Sequence, residues 1–222
     1  MQIVDFHCHT EYSKDSIATL QSIIYWMGKK NVDQIAITDH NTTRGAVIAH
    51  QLAPEKFIIG EEIKTKDGEI LAFFVQEEVP AGLSAEKTIS MLLDQGAFIS
   101  ISHPFDYYRN GHWKLSALKA NLAHLDAIEV FNARCMSVKA NEQALAFALE
   151  NNLPCLAGSD AHSASEIGNA ALVIPEFFDA KSLRKAIHQS HTRGKLTHPF
   201  VHLTSLYARW KKSVRKSRKP TR

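Results

Sequence analysis

Short apolar runs rich in Ile, Val, Phe and Ala alternate along the chain with longer stretches whose apolar positions recur every three or four residues. The first kind reads as strand and the second as amphipathic helix. Strands are predicted at 2–6, 34–38, 57–59, 70–75, 98–102, 127–131, 155–157 and 171–173, and helices at 17–29, 43–52, 85–95, 115–122, 137–151 and 180–190. Ser84 precedes Ala85-Glu86 as an N-cap with an acid in the first turn, and Asn151-Asn152-Leu153-Pro154 stops the Ala- and Leu-rich helix before it. Strands that alternate with helices imply a mostly parallel sheet with helices outside. Short strands with polar C-terminal ends suit a small closed barrel better than an open doubly wound sheet, and no Gly-rich phosphate loop follows any of them. The turn signal Lys66-Asp67-Gly68-Glu69 marks 70–75 as a candidate antiparallel insertion rather than a barrel strand.

The strands share a second pattern, for most of them end in His, Asp or Glu. The first runs into His7-Cys8-His9-Thr10, with Asp15 in the following loop, and later ones end in Asp39-His40, Glu61-Glu62, His103-Pro104 and Gly158-Ser159-Asp160-Ala161-His162. Residues i and i+2 of a strand share a face, so two imidazoles leave the first strand tip together. A lone His at a strand end is most often structural, and Asp-His reads equally well as a turn. The loops after barrel strands converge on one face, however. The His, Asp and Glu residues of these motifs therefore form a candidate metal cluster. A mixed imidazole and carboxylate set suits Zn²⁺, Mn²⁺ or Fe²⁺ and lacks the thiolates of a structural zinc site. Cys8 is expected to face away into packing, and Asp5 and Asp39 to orient imidazoles.

Composition narrows the setting. A chain of 222 residues, 45% hydrophobic and 22% charged, suits one soluble domain with a self-sufficient core. No run of apolar residues is long enough to span a membrane, no leader pattern opens the chain, and three cysteines without CxxC spacing read as reduced thiols, so the cytoplasm is the expected location. The net charge of +3 is uneven: residues 209–222 hold eight Lys or Arg and no acid, which leaves the rest near −5. That balance disfavours a dedicated nucleic-acid binder and suits a domain whose carboxylates hold cations. A domain over 1–200 followed by a basic tail over 201–222 is expected.

Taken in order from residue 2 to about residue 175, the motifs His7-Cys8-His9-Thr10, Thr38-Asp39-His40, Gly60-Glu61-Glu62, His103-Pro104 and Gly158-Ser159-Asp160-Ala161-His162 resemble the PHP (polymerase and histidinol phosphatase) domain. The segments His103-Pro104-Phe105-Asp106-Tyr107-Tyr108-Arg109 and Glu129-Val130-Phe131-Asn132-Ala133-Arg134 are similar to its stand-alone predicted phosphoesterases. The resemblance implies an α/β fold, a distorted (β/α)7 barrel, with two or three divalent ions (Zn, Mn or Fe) at the C-terminal ends of its strands. It implies that His7, His9, Glu62 and Asp160 hold one ion and that Asp15, His40 and His162 hold another. Glu62 takes the bridging position, Glu61 points away, and His103 binds a third ion or acts near the leaving group. The chain departs from the trinuclear pattern in one respect: no histidine lies between Glu62 and His103 to complete the third site, so two ions are expected rather than three.

The implied chemistry is hydrolysis of a phosphate ester of a small metabolite, a nucleotide or nucleoside bisphosphate foremost, by a hydroxide shared between ions roughly 3.5–4 Å apart. Arg109 and Arg134 follow motif-bearing strands, and guanidinium forks match phosphate geometry, so both are candidate phosphate ligands. His103 is a candidate proton donor to the leaving oxygen. Tyr107, Tyr108, His112 and Trp113 read as lid or core packing, with contact to a base as the alternative. The basic tail reads as a solvated segment, with nucleic acid or an anionic membrane as alternative partners and a short amphipathic helix permitted by Trp210 and Val214. Three other functions compete: a 5′-directed exonuclease or oligonucleotide hydrolase that uses the tail, a metal-bound module without catalysis, and a carbon–nitrogen hydrolase on a similar barrel.

Overall fold

The computed structural model describes residues 1–217, with side chains through Val214, so the basic run from Arg218 onward lies outside the described residues. The chain passes in order through β1 (Gln2–Cys8), α1 (Leu20–Lys30), β2 (Gln34–Ile37), α2 (Arg44–Leu52), β3 (Phe57–Lys64), β4 (Glu69–Phe73), α3 (Ala85–Asp94) and β5 (Phe98–Ile101). It continues through α4 (Leu115–Asn121), β6 (Ala127–Asn132), α5 (Val138–Glu150), β7 (Cys155–Gly158), β8 (Ala170–Ile174), α6 (Ala180–Ala186), β9 (His191–Gly194) and α7 (Val201–Ser217). Ser84 caps α3 and Ser137 caps α5, each accepting a backbone N–H with its side chain.

These strands form one sheet in the order β7-β6-β5-β4-β3-β2-β1-β8-β9. β1, β2 and β3 run parallel, as do β5, β6 and β7, while β4 is antiparallel to both β3 and β5. β8 and β9 continue antiparallel beyond β1. The sheet curls until β7 meets β1: the Asp160 N–H donates to the His7 carbonyl at 2.7 Å, and the His9 N–H to the Ala161 carbonyl at 2.9 Å. Gly158 makes that approach feasible, since a Cβ there would lie 2.2 Å from the His7 Cβ. The result is an α/β fold with a nearly closed, barrel-like sheet.

Three details differ from the sequence expectation. β3 runs on to Lys64 because β4 pairs with it from Gly60 to Lys64, which places Glu61 and Glu62 inside a strand rather than beyond one. β4 is antiparallel as expected, yet it is a full member of the curled sheet. β9, whose His-Thr-Arg-Gly carries no apolar alternation, is largely exposed and left no sequence signal.

Val4, Phe6, Leu71, Phe73, Phe98 and Leu156 pack together within the curl, joined by Phe177 and by Leu183 of α6. Arg184 of α6 donates to Asp126 at 2.7 Å, at the start of β6, so this helix plugs the N-terminal end. Ile89, Leu92, Leu118 and Phe147 seal α3, α4 and α5 onto one side, and Ile23 and Met27 seal α1 onto another. Full burial of such side chains stabilises by about 1.5–3 kcal/mol each. Phe6 joins the inner cluster whereas Cys8 joins the outer one, a reversal accommodated by the register shift between Asp5 and Cys8. Cys8 thus packs away from its histidine neighbours, and all three cysteines are free thiols. Among the described residues, no helix is long and apolar enough to cross a membrane.

A candidate metal centre at the strand tips

β1 delivers His7 and His9 with their Nε2 atoms 3.1 Å apart. Two ring nitrogens so close need a proton or a cation between them. Glu62, in β3, spans the group: Oε1 lies 3.4 Å from His7 Nε2, while Oε2 lies 3.4 Å from His9 Nε2 and 2.8 Å from His40 Nδ1. Asp160 Oδ1 lies 3.1 Å from His9 Nε2 and 3.6 Å from His7 Nε2. Asp15 Oδ1 sits 3.5 Å from His40 Nε2 and 3.6 Å from His162 Nε2. His103 Nε2 is 3.2 Å from Glu62 Oε1 and 3.5 Å from Glu69 Oε2. All eight residues singled out in the sequence therefore converge. Three trios, His7–His9–Glu62, His9–His40–His162 and Glu62–Glu69–His103, each bring three ligand atoms within 4.8 Å of one another.

The chemistry of the cluster fits divalent ions. Asp15 Oδ1, Glu62 Oε2 and Asp160 Oδ1 are buried without a hydrogen-bond partner among the described residues. An orphaned buried acceptor costs about 1–3 kcal/mol or more when charged, so three aimed into one cluster call for a cation. Three of the five rings are also set for the task. His7 Nδ1 faces Glu129 Oε1 at 2.9 Å, His9 Nδ1 faces the Ser13 hydroxyl at 3.2 Å, and His162 Nδ1 faces the Asp160 carbonyl at 2.8 Å. With the proton on Nδ1 in each, all three turn an Nε2 lone pair inward.

Asp39 acts on the His9 ring through one intervening hydroxyl, that of Ser13. It accepts from the Ser13 hydroxyl at 2.6 Å and the Thr10 hydroxyl at 2.6 Å, and Ser13 in turn accepts from His9 Nδ1 at 3.2 Å and from the backbone N–H of His40 at 3.0 Å. Asp5 touches no ring either. It accepts the backbone N–H groups of Ser159 at 2.8 Å and Gly168 at 2.9 Å, which fixes the loop carrying Asp160. Glu129 is the carboxylate that faces a ring directly, at His7 Nδ1. In the sequence it opens the segment Glu129–Arg134 that resembles the family, but nothing there marks it as a partner of a ring. Glu69 carries no separate sequence signal, because it stands at the end of the turn Lys66-Asp67-Gly68-Glu69 and reads as part of it. His103 and Asp160 both adopt left-handed backbone, with φ of 23° and 53°. Each such residue stores about 1–2 kcal/mol, strain that turns both side chains back over the strand tips.

Charge is arranged accordingly. Burial pushes Glu62 and Asp160 up, but His7 and His40 hold Glu62 well below the usual carboxylate range, and Arg109 and His7 do the same for Asp160. Burial and neighbouring His40 lower His9, and burial, His9 and Arg134 lower His162 strongly, so both favour the neutral, ligating form. Burial also opposes charge on His40, yet Glu62 raises it to about 9. Glu61 faces elsewhere, accepting the Val79 N–H at 3.2 Å, and burial lifts it to about 7.

A cavity of about 520 Å³ opens over the cluster. Arg109 lines it, donating to Asp160 Oδ2 and, at 3.1 Å, to Asp106 Oδ2; its Nη2 is buried without a hydrogen-bond partner among the described residues. Arg134 also lines it, but its donors engage Glu166 at 3.3 Å, the Ser205 hydroxyl at 3.0 Å and the Val201 carbonyl at 3.4 Å. Tyr108 stands on the rim, 79% exposed, whereas Trp113 is buried and donates to the Glu69 carbonyl at 3.0 Å. His202, Ser205 and Arg209 of α7 complete the wall, a contribution that reading 201–222 as a solvated tail did not foresee.

Comparison with known proteins agrees with this geometry. The PHP-associated family model matches residues 138–192. The uncharacterized protein MJ0417 of Methanocaldococcus jannaschii is 36% identical over 177 residues, which cover 78% of this chain and 70% of that protein. In structure, the chain is similar to a two-domain protein of Bacteroides vulgatus containing a predicted PHP-like metal-dependent phosphoesterase (TM-score 0.71, 17% identity, 93% of this chain and 69% of that one). It is also similar to a lesion-specific endonuclease of Pyrococcus furiosus (TM-score 0.61, 18% identity, 89% of this chain and 59% of that one). With the strand-tip cluster, the curled sheet and these relatives together, the chain belongs to the PHP-domain family.

Proposed function

We propose that the protein is a metal-dependent phosphoesterase acting on a phosphorylated small molecule, with nucleotides and nucleoside bisphosphates the first candidates. One observation carries the reading: three buried carboxylate oxygens without a hydrogen-bond partner among the described residues meet five imidazoles directly beside a guanidinium whose Nη2 likewise lacks one. His7, His9, Glu62 and Asp160 would hold one divalent ion, and Asp15, His40 and His162 a second. Glu62, Glu69 and His103 offer a further trio, so the missing histidine between Glu62 and His103 is answered by a carboxylate. Divalent ions held there would neutralise phosphate oxygens and activate water for attack at phosphorus.

The chain's own groups do the rest. Arg109, braced by Asp106 and Asp160, presents Nη2 to a phosphate oxygen and fixes its orientation. Arg134 supports the wall, because Glu166, Ser205 and Val201 already occupy its donors. His103 either completes the third trio or, with two ions bound, carries a proton to the leaving oxygen. The basic residues of α7 at the cavity mouth favour one second reading, hydrolysis of short oligonucleotides.

The test is phosphate release by the Mn²⁺-loaded protein from mononucleotides, 3′,5′-bisphosphonucleotides, histidinol phosphate and short RNAs, with Asp160→Asn alongside. Release from one class, reduced at least about 100-fold in the variant, is expected. Activity that rises with RNA length and falls steeply with salt would favour the oligonucleotide reading. No release from metal-loaded protein would overturn both.

A further inference from the structure

The cations around the cavity are not equally free. Arg109 is held by Asp106 and Asp160, and Arg134 by Glu166. Arg209 reaches in from α7 and donates through Nη2 to Asp15 Oδ2 at 2.8 Å, yet its side chain remains 56% exposed. The other oxygen of Asp15 faces His40 and His162. A divalent ion held between those groups would draw on the same carboxylate and leave Arg209 with surplus positive charge. Lys14 and Lys64 share the rim, and neither forms an ion pair among the described residues.

α7 is firmly seated in this position. Lys212 Nζ donates to the carbonyls of Glu11 and Ser16, both at 2.7 Å, and also to that of Ser13, while Ser205 accepts from Arg134. These bonds hold Arg209 against the loop that carries Asp15. Two guanidinium groups therefore stand at two ends of one cluster, Arg109 beside Asp160 and Arg209 beside Asp15.

We infer that Arg209 is a specificity-determining residue that receives a second anionic group of the substrate, while the scissile phosphate is met at the Arg109 end. The inference rests on the phosphoesterase reading for its reaction. Three cations without full neutralisation raise the local potential and favour a polyanion over a simple monoester. The cavity, about 520 Å³, is of a size that holds a nucleotide-like ligand. A guanidinium fork matches a terminal phosphate and a phosphodiester equally well, so both remain sources of the second charge.

The experiment compares AMP, adenosine 3′,5′-bisphosphate and the dinucleotide pApA on the full chain loaded with Mn²⁺, in the native form and as Arg209→Gln and Arg209→Lys. Both kinetics and equilibrium binding by calorimetry are read, with metal content measured for each variant. In the native chain, one of the two polyanions should exceed AMP at least tenfold in kcat/KM and in affinity. Arg209→Gln should shrink that ratio about tenfold, through KM, and Arg209→Lys should restore part of it. Preference for the bisphosphate assigns the second charge to a terminal phosphate, and preference for pApA assigns it to a diester. Equal losses on all three ligands, with the ratio kept, would overturn the inference and leave Arg209 only positioning Asp15. A native chain that binds all three alike would overturn it too. Turnover of none of them, with the binding ratio as expected, would sink the phosphoesterase reading and leave Arg209 as an anion receptor.

Discussion

The carboxylate of Glu129 faces His7 Nδ1 with one oxygen and accepts the His103 N–H with the other, at 2.9 and 2.8 Å. One buried side chain thus sets two neighbouring members of the cluster. An amide cannot accept on both sides, so Glu129→Gln places a donor against a donor at His7 or His103. Affinity for the divalent ion should fall about 10–100-fold in this variant, as for other losses of a ligand-orienting group. Competition against a chelating dye would measure it, and a far-UV spectrum would show the fold retained. An unchanged affinity would mean that His7 is held by packing alone. Most of the candidate ligand residues were legible in the sequence because they close an apolar run, where position along a barrel strand fixes position in space. Asp15 in its loop and the choice of Glu62 over Glu61 came instead from the family resemblance. Glu129 was not legible, since its role depends on which face of β6 meets β1, and that is decided by the closure of the sheet.

At the scale of elements, alternation of strand and helix was enough to recover every strand from β1 to β8 and every helix from α1 to α6, with ends displaced by a few residues. α7 shows why such reading fails elsewhere. Its large apolar side chains, Leu203, Leu206, Tyr207 and Trp210, are exposed, while Ser205, Ala208, Arg209 and Lys212 form the stripe that meets the protein. Hydrophobic periodicity marks the wrong face of a helix seated by polar bonds. Lys212 binds three carbonyls of one loop, so Lys212→Met should loosen that loop specifically. Amide exchange across residues 11–18 should accelerate about tenfold or more, with α1 and β2 unaffected. Uniform acceleration across the chain would instead indicate global destabilisation.

For the molecule as a whole, bound ions should matter to stability as well as to chemistry. The candidate ligands come from β1, the loops after it and after β2, β3, and the loops after β5 and β7, so ions held there would cross-brace the open end of the curled sheet. Ligation of the folded form alone stabilises by about 2.7–4.1 kcal/mol at ion concentrations 100–1,000 times Kd. Chelation should therefore lower Tm by several degrees, and re-addition of Mn²⁺ should restore it. A Tm indifferent to chelation would argue against tight occupancy.

The junction of β7 with β1 also bears on time. Asp5 and Ser159, which bond there, are 154 residues apart in sequence, and contacts of such separation form late in folding. A chain still being synthesised owns His7, His9 and His40 long before Asp160 and His162 exist to join them. The complete candidate site, with Asp160 and His162 in it, is thereby deferred until β7 has met β1, so a full set of ligands is itself a timestamp of completed folding.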